Sequence, residues 1–191
     1  MNICLYGASS SAIDRSYILG AETVGELIAK RGHTLIFGGG AQGVMGAAAR
    51  GAARFGGRII GVAPSFFNVD GVLYEHCTEL IYTDTMRERK QKMEELADAF
   101  LVMPGGVGTF EEFFEIFTLK QIGRHSKAIV MFNQNGYYDA VRALFEKAIE
   151  ERFMTEKCRL LCELFTEPDE MLDFIERYGG ERFGVSELKN I

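Results

Sequence analysis

Met103–Glu112 reads M-P-G-G-V-G-T-F-E-E, and this stretch decides the fold. The apolar run Ala99–Met103 halts at Pro104, three glycines follow within four positions, and an amphipathic pattern begins at Thr109. The reading is a buried strand, a tight glycine loop and a helix start. Gly105, Gly106 and Gly108 are expected to let the backbone turn where a side chain would clash, and to let an anion approach the main chain. The first amides of a helix have no internal partner and lie at the positive end of its dipole, so the loop suits a phosphate. Glu112 falls about one turn after Thr109, on the face of the helix mouth. A carboxylate repels a phosphate that it touches. Its place is therefore beside the phosphate, over the reacting part of a ligand.

Outward from this loop, short apolar runs alternate with helical patterns. Strands are expected at Ile3–Tyr6, Thr34–Phe37, Arg58–Val62, Glu79–Tyr82, Ala99–Met103, Ala128–Phe132 and Leu160–Phe165. Helices are expected at Ser16–Arg31, Val44–Phe55, Met86–Asp98, Thr109–Ile122, Tyr138–Glu151 and Pro168–Tyr178. Continuously apolar strands such as A-I-V-M-F suit a sheet covered on both faces, joined by right-handed crossovers. The fold expected is a Rossmann-like, doubly wound α/β domain with a mostly parallel sheet of about seven strands flanked by helices. It spans 1–191 as one domain, with 179–191 a loosely docked tail.

The net charge of −6 argues against general binding to nucleic acid or to anionic membranes. No apolar run approaches the roughly 20 residues that span a bilayer. The start M-N-I-C-L-Y-G shows no basic n-region, so the chain is expected in the cytoplasm with Cys4, Cys77, Cys158 and Cys162 reduced. His33, His76 and His125 stand apart, and no metal site is expected.

Four strand ends converge on one rim of such a sheet. They carry G-A-S-S-S (Gly7–Ser11), G-G-G-A-Q-G-V-M-G (Gly38–Gly46), T-D-T-M-R-E-R-K (Thr83–Lys90) and the P-G-G loop. Gly7, Ser9, Gly39 and Gly40 are accordingly candidate binding positions. Gly38–Gly43 satisfies G-x-G-x-x-G, but it follows the second strand and lacks the acidic ribose ligand about 20 residues on. Close packing with backbone lining a pocket explains it better than a dinucleotide, and no cofactor is expected. In the fourth-strand loop Arg87 and Lys92 read as a solvated face paired with Glu88, Glu94 and Glu95. Arg89 and Lys90 lie by the same rim as Glu112, the arginine as a planar fork and the lysine as a point charge. Glu111 lies about 100° around the helix from Glu112, so the two cannot form a facing pair. Glu111 and Glu115 read as structural, while the apolar stripe Phe110, Phe113, Phe114 and Phe117 serves the core or a subunit interface.

P-G-G-V-G-T-F-E-E preceded by M-R-E-R-K resembles the P-G-G-x-G-T-x-x-E and M-x-E-R-K signature of the Lonely Guy (LOG) family, with G-A-S-S, G-G-G-A-Q-G-V-M-G, G-R-I-I-G-V and N-G-Y-Y (Asn135–Tyr138) extending the likeness. The resemblance implies a homodimer with its site near the interface. It also implies hydrolysis of the N-glycosidic bond of a nucleoside 5′-monophosphate, AMP or N6-prenylated AMP, to free base and ribose 5-phosphate. Carried over by position, the arginine is Arg89, followed by Lys90; the phosphate loop is Gly105, Gly106, Val107, Gly108 and Thr109; the glutamate is Glu112. The family's threonine corresponds to Thr118, about 120° around the helix from Glu112 and so placed toward a partner subunit's pocket. The loop Pro64–His76 is expected to border the base. The alternative is a non-catalytic nucleotide or molybdenum-cofactor carrier of the same fold.

The residue types suit the chemistry. Cleaving a ribosyl C–N bond builds positive charge on the sugar and needs a deprotonated water, and one carboxylate serves both. Glu112 is assigned that role by analogy with glycosidases, which usually employ two carboxylates. Arg89 beside it is expected to aim the carboxylate and to lower its pKa.

Overall fold

The computed structural model describes residues 1–180; most of the tail expected from 179 onward lies outside the described residues. Seven strands form one sheet: β1 Asn2–Tyr6, β2 Thr34–Phe37, β3 Ile59–Pro64, β4 Glu79–Thr83, β5 Ala99–Val102, β6 Ala128–Phe132 and β7 Glu163–Phe165. Their order is β4-β3-β2-β1-β5-β6-β7, and every neighbouring pair runs parallel. Among the described residues, five α-helices lie between strands: α1 Arg15–Lys30, α2 Gly43–Arg54, α3 Met86–Leu96, α4 Val107–Gln121 and α5 Asp139–Glu150. A sixth, α6 Pro168–Arg177, follows β7, and β3 and β4 are joined without an α-helix.

Alternation along each strand splits the core into two layers. In β1, Ile3 and Leu5 pack with α1, α2 and α6, while Cys4 and Tyr6 face the side covered by α3 and α4. The first two helices approach closely because both carry glycine where they cross. A Cβ at Gly25 would fall on the Ala48 carbonyl, and one at Gly51 on that of Glu22.

The chain departs from β1 in one direction through β2, β3 and β4, then returns to place β5 on the other flank of β1. The strand order therefore reverses between β1 and β5, where open α/β sheets hold their ligands. Tyr6 pairs with Val102 across that boundary, so Gly7 and Met103 leave the sheet side by side. A Cβ on Gly7 would meet Val44 at 2.7 Å and Met103 at 3.2 Å, which explains the glycine there.

Most expected boundaries shift by one or two residues, and two shifts bear on the site and the sheet edge. Helix α4 begins at Val107 instead of Thr109, with Gly106 as its N-cap and the first helical bond running from the Phe110 amide to the Gly106 carbonyl. Val107 is 82 % exposed, so no apolar period marks that first turn. The last strand is shorter than Leu160–Phe165, because residues Glu156–Leu161 coil into a 3₁₀ helix that buries Cys158 and Leu161. Pro168 opens α6 at its first position, as expected.

Candidate active site

A cleft of about 650 Å³ opens at the carboxyl rim where the strand order reverses. Gly7, Ala8, Ser9 and Ser10 line it from the β1 loop, and Gly38, Gly40, Gln42 and Met45 from the β2 loop. Phe67, Gly71, Val72 and Leu73 form the side after β3, Met86 and Arg89 come from α3, and Gly106–Thr109 with Glu112 from α4. Among the expected residues, Gly39, Gly105, Lys90 and Thr118 do not line the cleft. Gly39 lies just beneath it, with φ +77 and its carbonyl accepting from the Tyr74 amide at 2.8 Å. Thr118 is exposed on α4.

Arg89 arrives through a well-specified helix start. Thr85 caps α3: its hydroxyl accepts from the Glu88 amide at 3.1 Å, and the Glu88 carboxylate accepts from the Thr85 amide at 3.3 Å and the Asp84 amide at 2.9 Å. This reciprocal cap, T-x-x-E in sequence, fixes the first turn. Glu88 is thus a capping group, not the ion-pair partner expected for Arg87 and Lys92. One turn on, Arg89 is 5 % exposed; its Nε donates to the Val62 carbonyl at 3.1 Å and its Nη1 to Glu112 Oε1 at 2.6 Å. Its Nη2 lies against Gly38, where any Cβ would collide with it. Gly38 therefore serves by leaving room for a guanidinium, a role that spacing within its own loop does not reveal.

Glu112 is 9 % exposed. Burial raises its pKa above the ordinary carboxylate value, and the nearby Arg89 cation and hydrogen bond offset this only in part. The expectation of a net lowering is corrected, because removal from water outweighs one cation. An upward shift brings the carboxyl closer to the range in which a general base works at neutral pH.

Glu111 and Glu115 turn the other way, and Lys90 joins both, bonded to Glu111 and 2.9 Å from Glu115 Oε2. Lys90 is thus engaged by carboxylates on the flank of α4 and lies outside the cleft lining. Their pull raises the Lys90 pKa against its partial desolvation.

The glycine loop differs in detail from its expected rationale. Gly105, Gly106 and Gly108 all lie outside the left-handed region; positive φ falls instead on Gly39 and Gly43 in the β2 loop. Gly105 is required by crowding, since a Cβ there would strike Thr109 and lie 3.0 Å from the Ala8 amide. Gly106 and Gly108 face open space, so a side chain there would occupy the approach to the backbone amides. Among the described residues, the amides of Gly106 through Thr109 donate to no backbone carbonyl. They form a donor cluster at a helix N-terminus, suited to an anion. Residues that sequence reasoning did not single out include Gln42, Met45 and Met86, brought in by tertiary placement alone.

The family model described as "Possible lysine decarboxylase" matches residues 45–175. A cytokinin riboside 5′-monophosphate phosphoribohydrolase of Arabidopsis thaliana is 32 % identical over 176 residues, covering 92 % of this chain and 83 % of that protein. The protein of the same name from Mycobacterium tuberculosis is 41 % identical over 153 residues, 80 % of this chain and 81 % of that one. Among solved structures, a molybdenum cofactor carrier protein of Chlamydomonas superposes with a TM-score of 0.70 at 19 % identity, covering 94 % of this chain and 98 % of its own. At that identity the likeness shows the fold alone.

Proposed function

The chain belongs to the Lonely Guy (LOG) family, and from that premise we propose that it hydrolyses the N-glycosidic bond of a nucleoside 5′-monophosphate, releasing free base and ribose 5-phosphate. One observation carries the reading. The buried Arg89–Glu112 pair and the unbonded amides at the start of α4 line the same cleft, whose volume of about 650 Å³ is in the range of small-molecule sites. The amides hold the 5′-phosphate and thereby fix the ribose. Glu112 Oε2, the oxygen not bonded to Arg89, takes a proton from water as the water oxygen bonds to the ribose C1′. It also faces the positive charge that builds on the sugar as the C–N bond breaks and the base departs with the bonding pair and takes up a proton. Arg89 holds the carboxyl in that orientation. Binding energy from the phosphate end is thus spent on the reacting centre.

The substrates proposed are AMP and N6-prenylated AMP, with the apolar segment Phe67–Leu73 beside the base. The decarboxylase description is not carried over. A pyridoxal phosphate reaction needs a lysine poised to form a Schiff base, whereas Lys90 is held by two carboxylates on the flank of α4. A carrier that binds without turnover has no use for a buried base–arginine pair beside its ligand. A homodimer formed through α4 and α5 is part of the proposal, since Phe114 and Leu144 are exposed on those helices. The cytoplasm is the proposed compartment, supported by the free thiols of Cys4, Cys77 and Cys162. No helix among the described residues is long and apolar enough to cross a membrane.

The test is chromatography of free base released from a panel of nucleosides and their 5′-monophosphates, with Glu112→Gln alongside. Release from the monophosphates, little from adenosine, and loss of about 10²–10⁴ in rate with AMP binding retained in the variant is the expected result. Release unchanged by Glu112→Gln, or equal turnover of adenosine and AMP, refutes it.

A further inference from the structure

Three consecutive carbonyls of the glycine loop are each held by a donor from elsewhere in the fold. The Met103 carbonyl accepts from the Tyr138 hydroxyl at 2.7 Å, the Pro104 carbonyl from the Ala8 amide at 3.2 Å, and the Gly105 carbonyl from the Tyr137 hydroxyl at 2.6 Å. Both tyrosines belong to the N-G-Y-Y segment, which the reaction does not otherwise use. Peptide units are planar and none here is cis, so each carbonyl and the amide hydrogen that follows it point in opposite directions. Drawing the Gly105 carbonyl toward Tyr137 therefore turns the Gly106 N–H the other way, and Gly106 lines the cleft. This peptide unit joins two glycines, so it has the least intrinsic resistance to rotation in the loop. Flipped, it would present a carbonyl oxygen to an anion instead of a donor.

We propose that Tyr137 is a positioning residue for phosphate recognition, acting through the Gly105 carbonyl to keep the Gly106 amide aimed into the cleft. The inference rests on the phosphate-loop reading above. Tyr137 is itself well fixed. Its ring meets Tyr17 and Tyr138 edge-on at 5.8 and 5.1 Å, and its segment is tied to α1 by Gln134 Nε2 donating to the Ser16 carbonyl and Asn135 Nδ2 to the Ser16 hydroxyl. Tyr138 supplies an internal control. The carbonyl that it holds precedes Pro104, which has no amide hydrogen, so its bond orients no donor. Tyr138 is fully buried and its hydroxyl bond is structural.

The experiment titrates ribose 5-phosphate and adenine by calorimetry into the full-length wild type, Tyr137→Phe and Tyr138→Phe, at a temperature where all three are folded. Thermal melts and steady-state kinetics on AMP accompany it. For Tyr137→Phe, which keeps the ring, the expected result is ribose 5-phosphate affinity weaker by about three- to tenfold, adenine affinity unchanged and Tm close to wild type. KM for AMP rises by a similar factor while kcat changes less. Tyr138→Phe is expected to lower Tm and leave ribose 5-phosphate affinity within about twofold. Wild-type affinity for ribose 5-phosphate retained in Tyr137→Phe overturns the proposal, as does an equal loss in Tyr138→Phe. A wild type that fails to bind ribose 5-phosphate at all overturns the phosphate-loop reading beneath it as well.

Discussion

Arg89 Nη1 donates to Glu112 Oε1 at 2.6 Å, with both side chains almost wholly withdrawn from water. The two residues come from different helices, one from the capped start of α3 and the other from the second turn of α4. Taking two charges out of water is expensive, and a buried pair is weak evidence for stability. That the fold keeps such a pair in the cleft lined by a cluster of unbonded amides supports the role proposed for Glu112.

The pH profile follows from that pair. Burial raises the Glu112 pKa, Arg89 and Lys90 lower it, and Glu111 raises it further. In the proposed mechanism the basic form is the working one, so kcat/KM is expected to be full above the folded-state pKa and to fall as pH drops through it. The acid limb is expected above the ordinary carboxylate value of 4.5. In Arg89→Met the largest lowering influence is gone, and the limb moves to higher pH. An acid limb that stays in place in Arg89→Met would show that the titrating group is not Glu112.

Gly38→Ala tests the room left for the guanidinium. The new Cβ would fall on Arg89 Nη2, so the fork must swing away from Glu112 or the β2 loop must shift. Misplacement of catalytic groups by about 1 Å can cost 10²-fold in rate. A loss of about that size is expected, with far-ultraviolet circular dichroism unchanged. The matched control is Gly179→Ala, where an added Cβ meets nothing. Equal activity in the two variants would remove Gly38 from the site.

Much of this architecture is legible in the sequence, for physical reasons. Runs such as Ala128–Phe132 are apolar on both faces because both faces are covered, and such a run has few readings other than a buried parallel strand. Arg89 and Glu112 were found because each stands by a strand end, beside a glycine loop or a helix start. What escaped depends on tertiary placement. Gly38 matters through an arginine far along the chain, Lys90 is occupied by carboxylates on a neighbouring helix, and Tyr137, after β6, bonds to the loop that leaves the adjacent strand β5. The sign of the Glu112 shift was missed because charge is visible in a sequence and depth of burial is not. The start of α4 was missed because its cap is a glycine, which leaves no side-chain signal.

The α1–α2 crossing predicts a stability effect separate from chemistry. Gly51→Ala would push a methyl group into the Glu22 carbonyl of the neighbouring helix. Although alanine is the better helix former, overpacking is expected to cost about 1–3 kcal/mol. At roughly 2–4 °C of Tm per kcal/mol for a domain of this size, the loss is readable by calorimetry. Activity at 25 °C should be retained, since Gly51 is buried between helices and does not line the cleft. A stabilised Gly51→Ala would mean that the helices relax apart at no cost.

The last prediction concerns the base. Phe67, Val72, Leu73 and Met86 supply the apolar wall of the cleft on the side away from the β1 loop, and Phe67 and Met86 are each 41 % exposed. Exposed aromatic and thioether surface beside a cleft gains most from a ligand that covers it. An N6-prenyl group does so, whereas the bare amino group of adenine does not. Phe67→Ala and Met86→Ala are therefore expected to reduce the preference for N6-prenyl-AMP over AMP by about tenfold, the discrimination ordinary for a few methylene groups. Turnover of AMP itself should change little, because the phosphate cradle and Glu112 come from α4 and the loop before it, and neither variant alters them. The measurement is kcat/KM for the two substrates in competition. An equal fall for both would mean that the Phe67 segment helps to exclude water from the reacting bond instead of reading the substituent on the base.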